Sequence, residues 1–355
     1  MIDINSLLTK AVELNASDLH LSPDEAPIVR IDGDLKRLDH PKMPAKELKE
    51  VLIGILGETQ LAIFKDKMEV DFSYVIPNVA RFRVNIFVQH KGAAGAFRVI
   101  PLALPTFEKL ELPEIFKDLC NFPNGLVIIT GPTGSGKSTT LATMINYVNK
   151  ESNKRKHIIT IEDPIEFIYE SGNCLIQQRE LGTETQSFSN ALRAALREDP
   201  DIILLGEMRD LETIQLALTA AETGHLVLTT MHTNSAAKSV DRIIDAFPAG
   251  EKEMIRVMMA ESLQAVVAQS LLKRPKGGRL AAHEIMICIP AIRNLIREHK
   301  VPQIYSIIQT HQSLGMHTME QHVADLLRHR QILPPETQTT IKPKPKAGIR
   351  PPPAE

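Results

Sequence analysis

The feature that most constrains the fold of this chain is the stretch at 131–139, which reads GPTGSGKST. It follows the apolar run at 126–130 and precedes a helix-compatible stretch at 140–149. A phosphate-binding loop requires this order, because glycines let the backbone wrap around a polyphosphate and the helix N-terminus favours an anion. A glycine-rich turn can also be a plain connection, but the lysine followed by a hydroxyl residue makes this pattern specific. The stretch therefore predicts a nucleotide site.

The loop divides its work among a few side chains. Lys137 is expected to neutralise the β- and γ-phosphates of ATP, and the Ser138 hydroxyl to complete the shell of a Mg²⁺ ion. The predicted nucleotide-binding residues are Gly131, Pro132, Thr133, Gly134, Ser135, Gly136, Lys137, Ser138 and Thr139.

Composition excludes several classes of protein. With 355 residues, 43% of them hydrophobic, the chain is long enough for two or three domains with their own cores. A net charge of −2, no tryptophan and 4% aromatic residues disfavour a nucleic-acid motor, so we expect no nucleic-acid partner. Three cysteines at 120, 174 and 288 form no CxxC pair, which disfavours a disulfide framework or a cysteine zinc site.

The sequence also indicates a location. The N-terminus lacks the basic and apolar regions of a signal peptide, and no apolar stretch approaches the length of a membrane span. We therefore expect a cytoplasmic protein that meets the membrane only through partners.

Two kinds of pattern follow one another along the chain. Helical spacing at 1–16 and 44–67 is interspersed with strand patterns at 16–22, 27–38, 70–76, 80–89 and 94–100, which predicts an α+β domain over 1–101 with a hairpin turn at Asp32-Gly33. A linker is expected at 102–112. Strands then alternate with helices over 113–333, which predicts a parallel sheet covered on both faces.

In the second domain, continuous apolar runs predict buried strands at 126–130, 157–161, 202–205, 226–230 and 283–287. Helical spacing is present at 211–222, 235–246, 249–270, 290–299, 302–310 and 317–330. The segment 334–355 is rich in proline and lysine and has few apolar residues, so we expect a disordered tail.

Polar side chains follow three of these strands. The residues are Glu162, Asp163 and Glu166 after the second strand, Glu207 after the third, and His232 after the fourth. An open α/β sheet binds its ligand at that edge. ATP hydrolysis needs a carboxylate for the attacking water, a carboxylate near Mg²⁺ and a group that senses the γ-phosphate. The alternatives are solvated or helix-capping carboxylates and structural histidines.

The N-terminal domain carries a basic strand. Arg81 and Arg83 alternate with Phe82 and Val84, so the two arginines share one face, and Arg98 on the next strand is able to join them. The cluster is either a solvated outer face or a set of sensors aimed at a nucleotide held by the other domain or a neighbouring subunit.

Several motifs together resemble one family. The chain is similar to the type IV pilus retraction ATPases, the twitching-motility members of the secretion ATPase superfamily, from about residue 1 to 333. The matching segments are ASDLHLS at 16–22, ARFRVN at 80–85, GPTGSGKST at 131–139, TIEDPIEF at 160–167, LREDPDIILLGEMRD at 196–210 and AIRNLIRE at 291–298. The resemblance implies a hexameric ring in which each subunit has an N-terminal PAS-like domain and a RecA-like ATPase domain with the nucleotide between them.

The resemblance also implies residue roles. Glu166 is the expected general base, supported by Glu162 and Asp163, and Glu207 coordinates Mg²⁺. A histidine box of His225 and His232 couples nucleotide state to domain position, and Arg81, Arg83 and Arg98 act as arginine sensors. In AIRNLIRE, which resembles a segment needed for retraction but not hydrolysis, Arg293, Asn294 and Glu298 are expected to touch a partner or neighbouring subunit.

The implied partners are five further copies of the chain and the inner-membrane platform protein at the pilus base, with a paralogous retraction ATPase as a possible companion. An accessory retraction paralogue remains an alternative. An assembly or type II secretion ATPase is disfavoured because such proteins usually carry a four-cysteine zinc module, and a nucleotide-switched binding protein ranks last. The sequence departs from the family at 228–234, which reads LTTMHTN, and in the length of its tail.

Overall fold

The structure is a computed structural model that describes residues 3–31, 33–100, 104–152 and 155–334. Within these residues the chain forms a six-stranded and a seven-stranded sheet, and no strand is shared between them. The first sheet is antiparallel and the second is mostly parallel, as predicted for an α+β domain followed by an α/β P-loop domain. The fold class is confirmed, whereas the domain boundaries at 101, 112 and 333 stay predictions.

The N-terminal sheet has the strand order β3-β2-β1-β6-β5-β4. Phe82, Val84 and Ile86 alternate along β5 and point into the core against the helices, while the arginines lie on the other face. The predicted helix at 44–67 is two helices, because the chain is extended at Gly57. Asp32 of the predicted hairpin turn lies outside the described residues. The elements are α1 (Ile4–Glu13), β1 (Asp18–Leu21), β2 (Ile28–Ile31), β3 (Asp34–Arg37), α2 (Ala45–Gly54), α3 (Glu58–Lys67), β4 (Glu69–Ile76), β5 (Ala80–Gln89) and β6 (Gly92–Ile100).

The C-terminal sheet has the order β13-β12-β7-β11-β10-β8-β9, and only β13 in it is antiparallel to its neighbour. Its elements are α4 (Phe107–Leu110), α5 (Ile115–Cys120), β7 (Gly125–Thr130), α6 (Lys137–Lys150), β8 (His157–Glu162), β9 (Leu175–Glu180), α7 (Phe188–Ala195), β10 (Ile202–Leu205), α8 (Leu211–Glu222), β11 (Leu226–Met231), α9 (Ala236–Asp245), α10 (Lys252–Ser262), β12 (Leu263–Lys273), β13 (Arg279–Ile287), α11 (Pro290–Arg297), α12 (Ile304–Thr310) and α13 (Met319–Arg328).

Both faces of this sheet are covered by helices. Along β7, Leu126 and Ile128 belong to one hydrophobic core and Val127 and Ile129 to the other. A strand buried on both faces has no polar alternation, which is why its sequence reads as a continuous apolar run. The carboxyl ends of the parallel strands β7, β8, β10 and β11 therefore lie along one edge of the sheet, outside the two hydrophobic cores.

The prediction of a helix over 249–270 is wrong. Helix α10 ends at Ser262, and Leu263 begins the strand β12, which lies between β7 and β13. The run LQAVVAQSLL is buried by neighbours on both sides, and a short apolar run fits a buried strand or a buried helix equally well. Strand β9 was not predicted either, because at the sheet edge its sequence LIQQRE is half exposed and polar.

Most of the predicted tail and part of the predicted linker lie outside the described residues. Residues 335–355, and with them nearly all of the predicted tail, lie outside the described residues, as do 101–103 of the predicted linker. Helix α4 forms within the rest of that linker. In the described part, none of the helices combines the length and apolar content that a bilayer crossing demands. All three cysteines are buried, and none of them forms a disulfide with another described residue.

Candidate active site

The loop after β7 has the backbone conformation of an anion cradle. Gly131, Gly134 and Gly136 have φ values of 148°, 78° and 87°, which side chains other than glycine rarely adopt. A Cβ on Gly131 would lie 2.3 Å from the Gln269 carbonyl oxygen, so glycine is required there for space as well. Helix α6 begins at Lys137 directly after this loop, and its free N–H groups face the cradle.

The side chain of Lys137 reaches back into the loop. Its buried ammonium group donates hydrogen bonds to the carbonyl oxygens of Gly131 at 2.9 Å and Pro132 at 3.1 Å. Burial lowers the pKa of Lys137, and the negative charges of Glu207 and Glu166 oppose that shift. The ends of β8 and β10 therefore bring two of the predicted carboxylates near the predicted phosphate-binding lysine.

Gln269 was not predicted and holds the loop from behind. It lies on β12, is 2% exposed, and donates from Nε2 to the Ser135 carbonyl at 2.6 Å. Its Oε1 accepts a hydrogen bond from the Thr140 hydroxyl at 2.9 Å. One amide side chain therefore ties the loop to the first turn of α6. The sequence signal was hidden because β12 was interpreted as helix.

Glu207 follows β10 and lies between two donors. Its Oε2 is 2.8 Å from Arg209 Nε, and its Oε1 is 3.2 Å from His232 Nε2. The Thr230 hydroxyl donates to the Gly206 carbonyl at 2.6 Å, which joins the ends of β10 and β11. Arg209, which the sequence analysis did not select, and His232 together orient the Glu207 carboxylate.

The two histidines of the predicted box lie at opposite ends of β11. His232 follows the strand and lies at the nucleotide edge, where the backbone N–H of the next residue, Thr233, donates to the Thr130 hydroxyl before the phosphate loop. His225 precedes the strand, seven residues earlier and roughly 20 Å away at ordinary strand rise. Its Nδ1 is 3.0 Å from the Ala220 carbonyl. Within one subunit only His232 joins the site.

The acidic residues after β8 differ in their surroundings. Glu162 is buried, and burial raises the pKa of its carboxyl to about 7, although hydrogen bonds from the Thr160 hydroxyl, the Gln178 amide and the Glu166 N–H act against that shift. Glu166 is half-buried and near Lys137, whereas Asp163 is exposed. Of these three carboxylates, Glu166 is the one whose charge acts on Lys137.

The three arginines share a face of the N-terminal sheet, as predicted, since Arg83 and Arg98 are paired across β5 and β6. Their contacts differ. Arg81 forms an ion pair at 3.0 Å with Glu180 of the other sheet, and Arg98 one at 3.0 Å with Asp18 beside it. The Arg83 side chain forms no hydrogen bond or ion pair with another residue of the described ranges.

The segment AIRNLIRE forms α11 as far as Arg297, and Glu298 is the C-cap of the helix. Arg293 donates from Nη1 to the Ala260 and Glu261 carbonyls and from Nη2 to the Gln264 side chain at 2.9 Å, so its guanidinium is used inside the subunit. Asn294 and Glu298 are exposed and bond to each other at 2.9 Å. Of the three residues expected to touch a partner, these two present their side chains outward.

The residues present fit a nucleotide and a magnesium ion. The cradle, the helix N-terminus and Lys137 suit a polyphosphate, and the Ser138 hydroxyl and Glu207 carboxylate are oxygen ligands of the kind that Mg²⁺ prefers. Among the described residues, no group of three or more histidine, cysteine, aspartate or glutamate side chains is arranged to hold a metal. A metal at this edge would therefore depend on phosphate and water oxygens as well.

Known proteins resemble the chain throughout its length. Residues 1–276 match the family described as Type II/IV secretion system protein. A Pseudomonas aeruginosa protein named type IV pilus retractation ATPase PilT is 57% identical over 90% of this chain and 92% of its own, and a Neisseria gonorrhoeae twitching motility protein is 56% identical over 87% and 82%. The crystal structure of the pilus retraction motor PilT with bound ADP has a TM-score of 0.87 at 44% identity and covers 98% of both chains.

Proposed function

The chain belongs to the Type II/IV secretion system protein family, and from this premise we propose that it is a hexameric, ATP-hydrolysing motor of type IV pilus retraction. The observation that carries the proposal is the convergence at one sheet edge of Lys137 with Glu166, Glu207 and His232. A switch protein that only binds nucleotide needs the loop and its lysine, but not two carboxylates and a histidine on adjacent strand ends.

Each residue has one task in this proposal. The loop N–H groups and Lys137 bind the ATP phosphates, while Ser138 and Glu207 hold the metal. A bound Mg²⁺ ion would neutralise phosphate charge. Glu166 orients the attacking water and accepts its proton, supported by Glu162 and Asp163. His232 keeps Glu207 in position, whereas His225, at the far end of the strand, takes no part in the site of its own subunit.

The N-terminal sheet supplies the arginines. Arg83 and Arg98 lie next to Arg81 on one face, and Arg83 is the one of the three without an ion pair in the described ranges. We propose that this face meets the nucleotide of the same or a neighbouring subunit, where guanidinium groups would stabilise the charge that develops on the transferred phosphate. ATP binding would then close the two domains around the site and hydrolysis would open them, which is hinge motion of a common kind.

Successive closures around a ring would move an axial partner. We propose that this partner is the inner-membrane platform protein of the pilus and that the ring lies at the cytoplasmic face of the inner membrane. Support comes from the relatives named for pilus retraction and twitching motility. The exposed side chains of Asn294 and Glu298 on α11 are candidates for contact with the partner or with a neighbouring subunit.

The enzymatic part is tested with two variants. Lys137→Ala is expected to lose ATP binding, because the ammonium is the principal positive charge in the cradle. Glu166→Gln is expected to retain binding and stop turnover, since the amide cannot accept the proton. Calorimetric binding of ATP and release of phosphate are the measurements. Undiminished hydrolysis in Glu166→Gln would assign the base to another residue.

The cellular part is tested by counting surface pili in a strain that lacks this chain, with twitching scored in parallel. Abundant pili without movement are expected of a lost retraction motor. Bald cells would make the chain an assembly motor, and unchanged piliation with weaker movement would indicate an accessory retraction ATPase.

A further inference from the structure

The loop that carries Glu166 is held by two carboxylates from adjacent strands. Glu162 ends β8 and Glu180 ends β9, and the two occupy paired positions in the sheet. The Glu162 carboxylate accepts a hydrogen bond from the backbone N–H of Glu166, and Glu180 Oε2 accepts one from the backbone N–H of Ile165 at 2.9 Å. Consecutive amides of the loop are thus fixed by paired side chains.

Strand β9 holds the rest of this loop as well. Gln178, two residues before Glu180 and on the same face of the strand, donates to the Phe167 carbonyl at 2.8 Å and accepts from the Tyr169 N–H at 2.9 Å. The position of Glu166 therefore depends on side chains of β9, none of which contacts the phosphate loop in the described hydrogen bonds.

Glu180 differs from Glu162 and Gln178 because its side chain also bonds to the N-terminal sheet. Arg81 Nη2 is 3.0 Å from Glu180 Oε2, and the side chains are 13% and 14% exposed. The same nitrogen donates to the Ser73 hydroxyl at 2.7 Å, which fixes the guanidinium on its own sheet. Removing one member of a shielded ion pair leaves the other charge uncompensated, so the pair couples the positions of the two sheets.

One N–H donor of the Arg81 guanidinium is unused. Its Nε is buried and has no hydrogen-bond partner among the described residues. A buried donor without a partner is costly and is found where a group has a second arrangement or a missing ligand. If the N-terminal sheet moves towards a nucleotide, the guanidinium can exchange the Glu180 carboxylate for a phosphate oxygen of the same charge.

We propose that Glu180 is a positioning residue that sets the geometry of Glu166 according to where the N-terminal sheet lies. With Arg81 on Glu180, the carboxylate is held against the Ile165 N–H. When Arg81 leaves, Glu180 loses its counter-charge and the loop carrying the base changes position. Hydrolysis would in this way respond to domain closure. The inference rests on the proposed role of Glu166 in hydrolysis.

The first test needs no activity. Hydrogen–deuterium exchange of the segment 162–168 is expected to be about tenfold faster in Glu180→Ala, which removes the acceptor of the Ile165 amide. Arg81→Gln is expected to accelerate exchange of the same segment, although Arg81 does not bond to it. Arg83→Gln, which changes the next arginine on the same face, is the matched control and should leave the exchange unchanged. Unchanged exchange in Glu180→Ala or Arg81→Gln would overturn the proposal.

The second test uses steady-state kinetics. Glu180→Gln is expected to lower kcat about tenfold with KM for ATP unchanged, because misplacing a base costs turnover without touching the bound substrate. Arg81→Gln should lower kcat by a smaller factor in the Glu180→Gln background than in the parent, and the two factors should differ by about threefold or more. Glu198→Gln, which breaks the pair between Glu198 and Arg179 on the same strand, should keep the parent kcat.

The outcomes separate the two proposals. Independent, multiplying effects of Arg81→Gln and Glu180→Gln on kcat, or a raised KM alone, would overturn the positioning role. A parent chain without ATPase activity would refute the proposed function, and the exchange measurement would then still decide whether Glu180 and Arg81 hold the loop.

Discussion

The Nε2 atom of His232 lies 3.2 Å from Oε1 of Glu207, although the two residues follow different strands. Strands β10 and β11 are parallel neighbours, so their carboxyl ends bring the two side chains together. The other oxygen of Glu207 is 2.8 Å from Arg209 Nε. The carboxylate proposed to hold the metal is thus oriented from two sides.

From this contact we expect His232→Ala to retain ATP binding and to lose about tenfold or more in kcat, which is typical when a group that orients a metal ligand is removed. His225→Ala changes a histidine at the other end of the same strand and is the matched comparison. Phosphate release and ATP binding are measured for both variants. Equal losses of kcat in both would contradict the distinction that the fold makes between them.

A second prediction concerns Gln269. Gln269→Leu leaves the Ser135 carbonyl and the Thr140 hydroxyl without their partner, so we expect the Kd for ATP to rise about tenfold. Gln264→Leu is the control on the same strand, because that amide contacts Arg293 and Asn124 away from the loop. It is expected to lower the Tm without changing the Kd. An unchanged Kd in Gln269→Leu would show that the loop keeps its shape unaided.

A third prediction follows from the buried Glu162. Burial raises the pKa of its carboxyl to about 7 from 4.5, so the folded chain binds this proton more tightly than the unfolded chain does. The contribution of Glu162 to the free energy of unfolding is therefore full below about pH 4.5 and is lost as the pH rises through 7. The loss amounts to about 3 kcal/mol at 1.36 kcal/mol per pKa unit.

Glu162→Gln is expected to narrow the difference in Tm between pH 5 and pH 8, because the amide does not ionise. Asp163→Asn alters the exposed neighbouring carboxylate and serves as the control, with the pH dependence of the parent retained. Thermal unfolding at the two pH values is the measurement. A Glu162→Gln variant as pH-dependent as the parent would refute this assignment.

A fourth prediction separates structure from partner contact in α11. Arg293→Ala removes three hydrogen bonds inside the subunit and is expected to lower the free energy of unfolding by about 1–3 kcal/mol. The double variant Asn294→Ala with Glu298→Ala changes exposed side chains and is expected to keep both Tm and ATP hydrolysis while retraction is lost. Loss of hydrolysis in the double variant would contradict a partner role for this surface.

Local patterns predicted much of the site because its chemistry is concentrated in short segments. The loop from Gly131 to Thr139 is recognisable wherever a strand precedes it and a helix follows, since glycine geometry and helix N-terminus act over a few residues. Glu207 and His232 were predictable because each follows an apolar run, and parallel strands share an edge. The face shared by Arg81 and Arg83 follows from strand alternation alone.

Contacts between segments far apart in the chain were not predictable from those patterns. Gln269 lay in a run whose apolar character fits a buried strand or a buried helix, and only pairing with β7 and β13 decides between them. Glu180 lies on an edge strand with no apolar signature, so nothing in its sequence marks it as the partner of Arg81. His225 and His232 flank the same apolar run, yet the direction of the strand puts His225 at the edge of the sheet opposite to the phosphate-binding loop.

The sequence by itself determined the class of chemistry, because a phosphate cradle and strand-end carboxylates are local features written in consecutive residues. Only the tertiary structure decided which side chains share the work, namely that Gln269 holds the loop, that His232 rather than His225 meets Glu207, and that Arg81 is paired with Glu180. Those choices depend on strand order and on the packing of two sheets, and the energy of such contacts comes from residues that no short window of sequence contains.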